Sequence, residues 1–165
     1  MQAYANYSQA YRPVLFSDIT PGATTDSIDQ NLKDAKGYNI DLGFRGAYNR
    51  LISYDVSVFY LMYGNRIGSY QANGKNYKTN IGNSVSKGLE AYVEVTPTAL
   101  LENNTLGNIS VFASLSWIDA SYTSWNDPDQ TLKGKEVENA PDYIHRAGLT
   151  WQYKKFSTTF QGSFV

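Results

Sequence analysis

From Gly37 to Tyr48 the chain alternates: Tyr38, Ile40, Leu42, Phe44 and Tyr48 fall on one face, and Asn39, Asp41, Gly43 and Arg45 on the other. A period of two predicts a strand with an apolar side and a polar side. A tyrosine closes each end of the apolar side. Ten steps of about 3.3 Å, tilted by about 40°, rise roughly 25 Å, which is the height of the apolar band of an outer-membrane barrel. Strands of soluble proteins are usually about half that long.

The same pattern recurs along the chain. An aromatic-bearing strand is predicted from Gln2 to Tyr11, before the Gly37 to Tyr48 segment. A third runs from Ile52 to Tyr63, with Ile52, Tyr54, Val56, Val58, Tyr60 and Met62 opposite Ser53, Asp55 and Ser57. Its polar face ends in Phe59, Leu61 and Tyr63, a break in alternation that predicts contact with something packed inside the barrel or with a neighbouring loop. The fourth, Ser84 to Thr96, sets Val85, Leu89, Ala91, Val93 and Val95 against Ser86, Gly88, Glu90, Tyr92 and Glu94. Lys87 lies on its apolar face near the loop end, where a long stem reaches the headgroup level. The fifth carries Ile109, Val111, Ala113, Leu115 and Trp117 opposite mostly serines. The sixth, Tyr143 to Tyr153, groups Ala147, Leu149, Trp151 and Tyr153, and the seventh, Phe156 to Val165, groups Phe156, Thr158, Phe160 and Phe164.

Between these strands the connections alternate. Arg12 to Lys36, Asn65 to Asn83 and Ser121 to Asp142 read as long polar loops; Asn49 to Leu51 and Lys154-Lys155 read as tight turns, and Pro97 to Asn108 is of medium length. Outer-membrane barrels have long extracellular loops and short periplasmic turns, which orients the chain. The predicted fold class is therefore all-β: antiparallel transmembrane barrel strands, about seven in succession. Bacterial single-chain barrels close with an even number of strands, and an open sheet edge in lipid leaves backbone groups unpaired at several kcal/mol each. Met1-Gln2-Ala3-Tyr4 shows neither the basic nor the apolar region of a signal peptide. Residues 1–165 are accordingly expected to be a portion of a larger barrel. The rival is a soluble β-sandwich or surface adhesin module binding glycan or protein, with shorter strands and aromatics turned into a core.

Composition narrows the choice. Only 42% of residues are hydrophobic, as a wall that meets lipid with alternate residues requires. Aromatics reach 15%, with 14 Tyr and 3 Trp, the residues favoured at membrane interfaces. The absence of Cys removes disulfide scaffolds and thiolate metal sites. A formal net charge of -1, with no basic patch interleaved with aromatics, argues against nucleic acid as a partner.

Candidate chemistry is sparse. His145 is the single histidine, and a hydrolytic role would need a nucleophile and an orienting group in reach; the better reading is a ring at the membrane interface. Asp127, Asp129, Glu136 and Glu138 carry oxygen donors, but Pro128 and the Lys133 to Lys135 run separate them in a spacing unlike a calcium loop. No residue pattern calls for catalysis, a bound metal or a cofactor. Asp41, Arg45, Glu90 and Glu94 are expected on the lumen side, either hydrated in a polar channel, in contact with a plug, or lining a solute path.

Several segments, in order, carry a resemblance: Tyr4-Ala5-Asn6-Tyr7-Ser8-Gln9-Ala10-Tyr11-Arg12-Pro13; Lys36-Gly37-Tyr38-Asn39-Ile40-Asp41-Leu42-Gly43; Asp55-Val56-Ser57-Val58-Phe59-Tyr60; Asn80-Ile81-Gly82-Asn83-Ser84 with Lys87-Gly88-Leu89-Glu90; and Gly134 through Asn139-Ala140-Pro141 to Leu149. The set resembles the C-terminal half of the barrel of TonB-dependent outer-membrane receptors, with wording most similar to the ferric-citrate type. The resemblance implies a barrel of about 22 strands around an N-terminal plug. It also implies import of iron chelates, cobalamin or other large solutes, driven by the TonB complex of the inner membrane. This sequence has no plug and no TonB box, and its strands make up about a third of such a barrel. For an anionic chelate the resemblance points to loop cations, since guanidinium binds carboxylates in bidentate fashion. Arg12, Arg66, Lys75 and Lys78 are the candidates, with Lys33, Lys133 and Lys135 beside them.

Overall fold

The computed structural model describes residues 1–23, 26–101 and 105–165. The parts of the predicted connections at 24–25 and 102–104 lie outside the described residues. The strands are β1 (Gln2–Arg12), β2 (Ser27–Ile28), β3 (Ala35–Tyr48), β4 (Ile52–Ala72), β5 (Lys75–Val95), β6 (Asn108–Trp125), β7 (Tyr143–Tyr153) and β8 (Phe156–Phe164). They form one sheet in the order β1-β3-β4-β5-β6-β7-β8, with β2 paired to β5. Every pairing along that path is antiparallel between successive wall strands. All seven predicted strands are present.

Register carries the alternation of each strand across the whole wall. Leu42 stands opposite Val58, Val58 opposite Leu89, Leu89 opposite Trp117 and Trp117 opposite Tyr143, an unbroken apolar row. One residue on, Gly43, Ser57, Glu90 and Ser116 make a polar row. A slip of one residue would send every side chain to the wrong face, so the pattern fixes the pairing. None of the described residues covers the apolar row: Leu42 is 51% exposed, Val58 49% and Trp117 45%. Among the described residues no second sheet packs against it, as the sandwich reading required, and the wall strands run 9 to 21 residues. Tyr7, Tyr38 and Tyr60 form a ladder of rings at one end of the apolar band, with centroids 6.2 and 6.1 Å apart.

Phe59, which broke the alternation, packs within the wall. Its cross-strand partner is Gly88, and its ring lies where a Cβ on Gly88 would be, 2.7 Å from the nearest ring carbon. Tyr4 covers Gly43 and Phe112 covers Gly148 in the same way, each a direct register pair on the polar face. A ring laid over a cross-strand glycine hides backbone that would otherwise be bare. The contact expected with something inside the barrel is, for Phe59, a contact with the sheet itself.

The predicted loop Asn65 to Asn83 is corrected to strand. β4 and β5 continue as a hairpin past the apolar band and turn at Asn73-Gly74, both at positive φ (53° and 73°) as a two-residue hairpin turn demands. β6 likewise runs to Trp125, into the predicted loop that began at Ser121. These extensions lack an alternating apolar side, so period two gave no signal. Register shifts mark where the band ends: between Tyr63 and Arg66 in β4, where Asn65 takes φ 56°, and between Asn83 and Ser84 where β5 meets β6. Such bulges twist and re-aim a sheet. Buried apolar residues lie around these shifts, with Ala120 and Tyr122 opposite Ser86 and Ser84 just before the β5–β6 shift and Ile81 just past it. Ile81, Ala120 and Tyr122 are each no more than 6% exposed. The segment after β6 folds back over them: Tyr122 N donates to Lys135 O (3.0 Å) and Val137 N to Ala120 O (3.0 Å).

Candidate functional site: the polar face and the mouth above it

Alternation in β3 and β5 puts Asp41, Arg45, Glu90 and Glu94 on the polar face, as read from the sequence. Asp41 accepts bonds from Asn6 Nδ2 (3.0 Å) and Asn39 Nδ2 (2.7 Å). Arg45 Nε donates to Gln2 Oε1 at 3.0 Å while its guanidinium lies 5.5 Å from the centre of the Tyr4 ring. The Tyr4 hydroxyl donates to Asp55 Oδ1 at 2.8 Å, and that of Tyr92 to Glu94 Oε2 at 3.1 Å. Glu90 has no hydrogen bond or ion pair among the described residues. It borders a recess of about 440 Å³ lined also by Tyr4, Asp55, Ser114, Ser116 and Arg146. Asp55 and Arg146 were not singled out from sequence. Each lies on a polar face, but only cross-strand register brings them to one recess.

The four loop cations separate into two kinds. Arg12, at the end of β1, holds Asp18 with Nη2 to Oδ2 at 2.9 Å, and Lys78 on β5 approaches Asp18 Oδ1 at 3.8 Å. Lys78 Nζ also donates to Ser17 O at 3.1 Å. Arg12 and Lys78 thus already serve a carboxylate of the chain. Asp18 reaches them because residues Phe16–Asp18 make a single 3-10 turn, and Leu15 N donates to its Oδ2 at 3.0 Å. That backbone donor, followed by the Arg12 guanidinium and the Lys78 ammonium, holds the Asp18 carboxyl below the usual carboxylate range, against the opposing effect of burial.

Arg66 and Lys75 have no carboxylate partner among the described residues. Lys75 is exposed at the hairpin tip. Arg66 follows the β4 bulge, with its guanidinium 5.3 Å from the Tyr63 ring centre and 5.6 Å from that of Tyr122. Ser84 Oγ is 3.5 Å from its Nη1. Tyr122 is fixed in turn by Trp125, edge-on at 4.8 Å, whose Nε1 is buried without an acceptor among the described residues. A guanidinium against two rings is positioned in advance and keeps its in-plane donors for an anion. Tyr63 and Tyr122 gave no separate signal in the sequence, since the bulge brings them to Arg66.

His145 is on the apolar face, its ring parallel to Tyr143 (3°, centroids 6.2 Å apart) and tilted against Phe164. Asp127 caps its own turn, accepting from Asp129 N at 2.9 Å, and Glu136 bridges to Ser121. The described residues contain no group of three or more side chains placed to hold a metal ion.

A single layer of long antiparallel strands, with one aromatic-ended apolar face and one polar face, defines a stretch of β-barrel wall. The family model of "TonB dependent receptor-like, beta-barrel" matches residues 1–165, and the chain belongs to the TonB-dependent receptor β-barrel family. Among solved structures it is similar to the ferric citrate transporter FecA in its unliganded form (21% identity, TM-score 0.68, covering 98% of this chain and 22% of that one). It is also similar to the copper transporter OprC (16%, 0.64, covering 96% and 23%). A third is the FrpB iron transporter from Neisseria meningitidis, F3-3 variant (16%, 0.58, covering 83% and 20%). At these identities the likeness is one of fold. The chain spans between 20% and 23% of the length of these three structures. No curated protein matches it.

Proposed function

We propose that residues 1–165 form part of the barrel wall of an outer-membrane receptor that binds and imports an anionic metal chelate, an iron chelate such as ferric citrate foremost. The apolar face meets lipid of the bacterial outer membrane. The polar face, with Asp41, Arg45, Glu90 and Glu94, looks into the lumen toward a plug domain and the solute path, and energy arrives from the TonB complex. The projecting β4–β5 hairpin stands on the extracellular side. The observation that carries this reading is the match of the receptor-barrel family along the whole chain, joined to a wall with one lipid-compatible face and one polar face. Iron chelates are favoured because FecA and FrpB are a ferric citrate and an iron transporter. An anionic cargo is favoured by Arg66, a cation already held by Tyr63 and Tyr122 but by no carboxylate among the described residues. A hydrogen bond to a charged group contributes about 1.5–3 kcal/mol. Arg66→Ala in the complete receptor is therefore expected to weaken ferric citrate binding roughly tenfold or more. Lys75→Ala, at the tip, leaves binding nearly unchanged. Binding and uptake of radiolabelled iron citrate by cells carrying each variant measure this. Wild-type uptake by Arg66→Ala would contradict the assignment of Arg66.

A further inference from the structure

The segment between β1 and β3 does not hang free above the wall. It crosses to the far edge of the projecting hairpin, where β2 adds a parallel strand to β5 (Ser27 opposite Tyr77, Ile28 opposite Lys78), and Asp29 N donates to Lys78 O at 2.9 Å. Side chains fasten it on both sides of β2. Thr79 Oγ1 donates to Asp29 Oδ2 at 2.7 Å, and Asn80 clasps the Lys33 backbone, accepting from its N at 2.7 Å and donating to its O at 2.8 Å. At the start of the segment the fastening is ionic, through Asp18. Its carboxylate is 9% exposed, whereas the two cations that hold it keep open sides, Arg12 at 41% and Lys78 at 29%. Arg12, Lys78 and the Leu15 N–H make an anion site that the chain fills with its own carboxylate.

We propose that Asp18 is a latch, and that a carboxylate-bearing anion arriving at the mouth competes with it for Arg12 and Lys78. The strap, residues 13–23 and 26–34, is held down across the β4–β5 hairpin in the absence of such an anion and loosens when one takes the cations. The inference rests on the extracellular placement given above, and it adds a step to binding: the cations of the mouth include two that are self-inhibited and one, Arg66, that is not. An exchange of one carboxylate for another leaves the charge at the site balanced, so the competition costs little electrostatic energy. A polycarboxylate, with several groups for two cations, is the natural competitor.

Hydrogen exchange of the purified complete receptor tests the latch and its trigger separately. With no anion added, Asp18→Asn should raise exchange across residues 15–34 roughly tenfold, since local opening reports local contacts. Unchanged exchange there would overturn the latch. In the wild type, sodium citrate should raise exchange over the same residues above sodium chloride of equal ionic strength, which controls for screening. Equal exchange in the two salts would overturn the competition. The variant carrying both Arg12→Gln and Lys78→Gln should be loose from the outset and indifferent to citrate; a strap that still responded to citrate in it would place the anion elsewhere and overturn the assignment. Each result leaves the import reading to the uptake assay on Arg66.

Discussion

The wall and the structure projecting above it are built from the same strands by opposite means. In the wall a residue such as Leu42 or Val58 is half exposed, and order comes from ladder hydrogen bonds plus a solvent that rewards apolar side chains. Around and above the bulges of β4 and β6 a small apolar cluster of Ile81, Ala120 and Tyr122 is joined by buried polar side chains, among them Asp18, Thr79 and Ser84, all less than 9% exposed. The difference teaches that this fold has no single core. Its lower part is complete only in lipid, and its upper part is a water-facing cap held by specific hydrogen bonds. Damage should accordingly follow polarity and depth in the wall, and individual partners in the cap.

The largest effect belongs to the wall. Leu42→Arg puts a charge near the middle of the apolar band, where the cost is about 2–4 kcal/mol, and the complete receptor should largely fail to assemble. Ser8→Arg, exposed on the polar face, should assemble normally, as judged by the folded fraction recovered from outer membranes. Gly43, although on the polar face, is no site for a control substitution, because the Tyr4 ring occupies the space of a side chain there. Next comes the ring-over-glycine packing. Gly43→Val forces the Tyr4 ring aside, since the three atoms nearest a Cβ there all belong to that side chain, an overpacking cost of about 1–3 kcal/mol, and Tyr4→Ala in the same chain should restore part of the loss. Full additivity of the two substitutions in thermal unfolding would show that the ring and the glycine do not interact.

The smallest effect concerns pH and the cap. Asp18, Asp29 and Asp34 are each held below the ordinary carboxylate range, chiefly by the Leu15 N–H, the Thr79 hydroxyl and the Tyr11 hydroxyl respectively. A lowered folded-state value contributes stability above the ordinary carboxylate pKa of about 3.9 and loses it as pH falls through the lower folded value. Protection of residues 13–34 should therefore stay level from neutral pH down to about 4 and decline only below it. These groups are close to solvent, so the change is modest. A decline centred near pH 6 would point to a different titrating group.

How far the sequence revealed this structure follows the same division. Alternation read through Leu42 to Phe44 or Val56 to Val58 located the wall, its two faces and the tight turns, because lipid imposes one rule on every second residue. Glu90 and Arg45 lie on the face that this alternation gives as polar. The hairpin from Arg66 to Asn80 was invisible to that rule, having polar residues on both sides. The pairing of Asp18 with Arg12 and Lys78 depends on a loop crossing a hairpin, and the joining of Arg66 to Tyr122 depends on two bulges. Neither leaves a local trace.

The orientation of the wall is decided by which ends of these strands lie outside the cell. In the complete receptor, single cysteines at Lys75, on the hairpin tip, and at Lys155, in the turn between β7 and β8, address this against a segment free of cysteine. Lys75 serves better than Gly74, whose φ of 73° disfavours a side chain. An impermeant maleimide should label Lys75→Cys on intact cells, and Lys155→Cys only after the outer membrane is permeabilised. Labelling of position 155 but not 75 on intact cells would invert the wall, and equal labelling of both would mean that these strands do not cross a membrane.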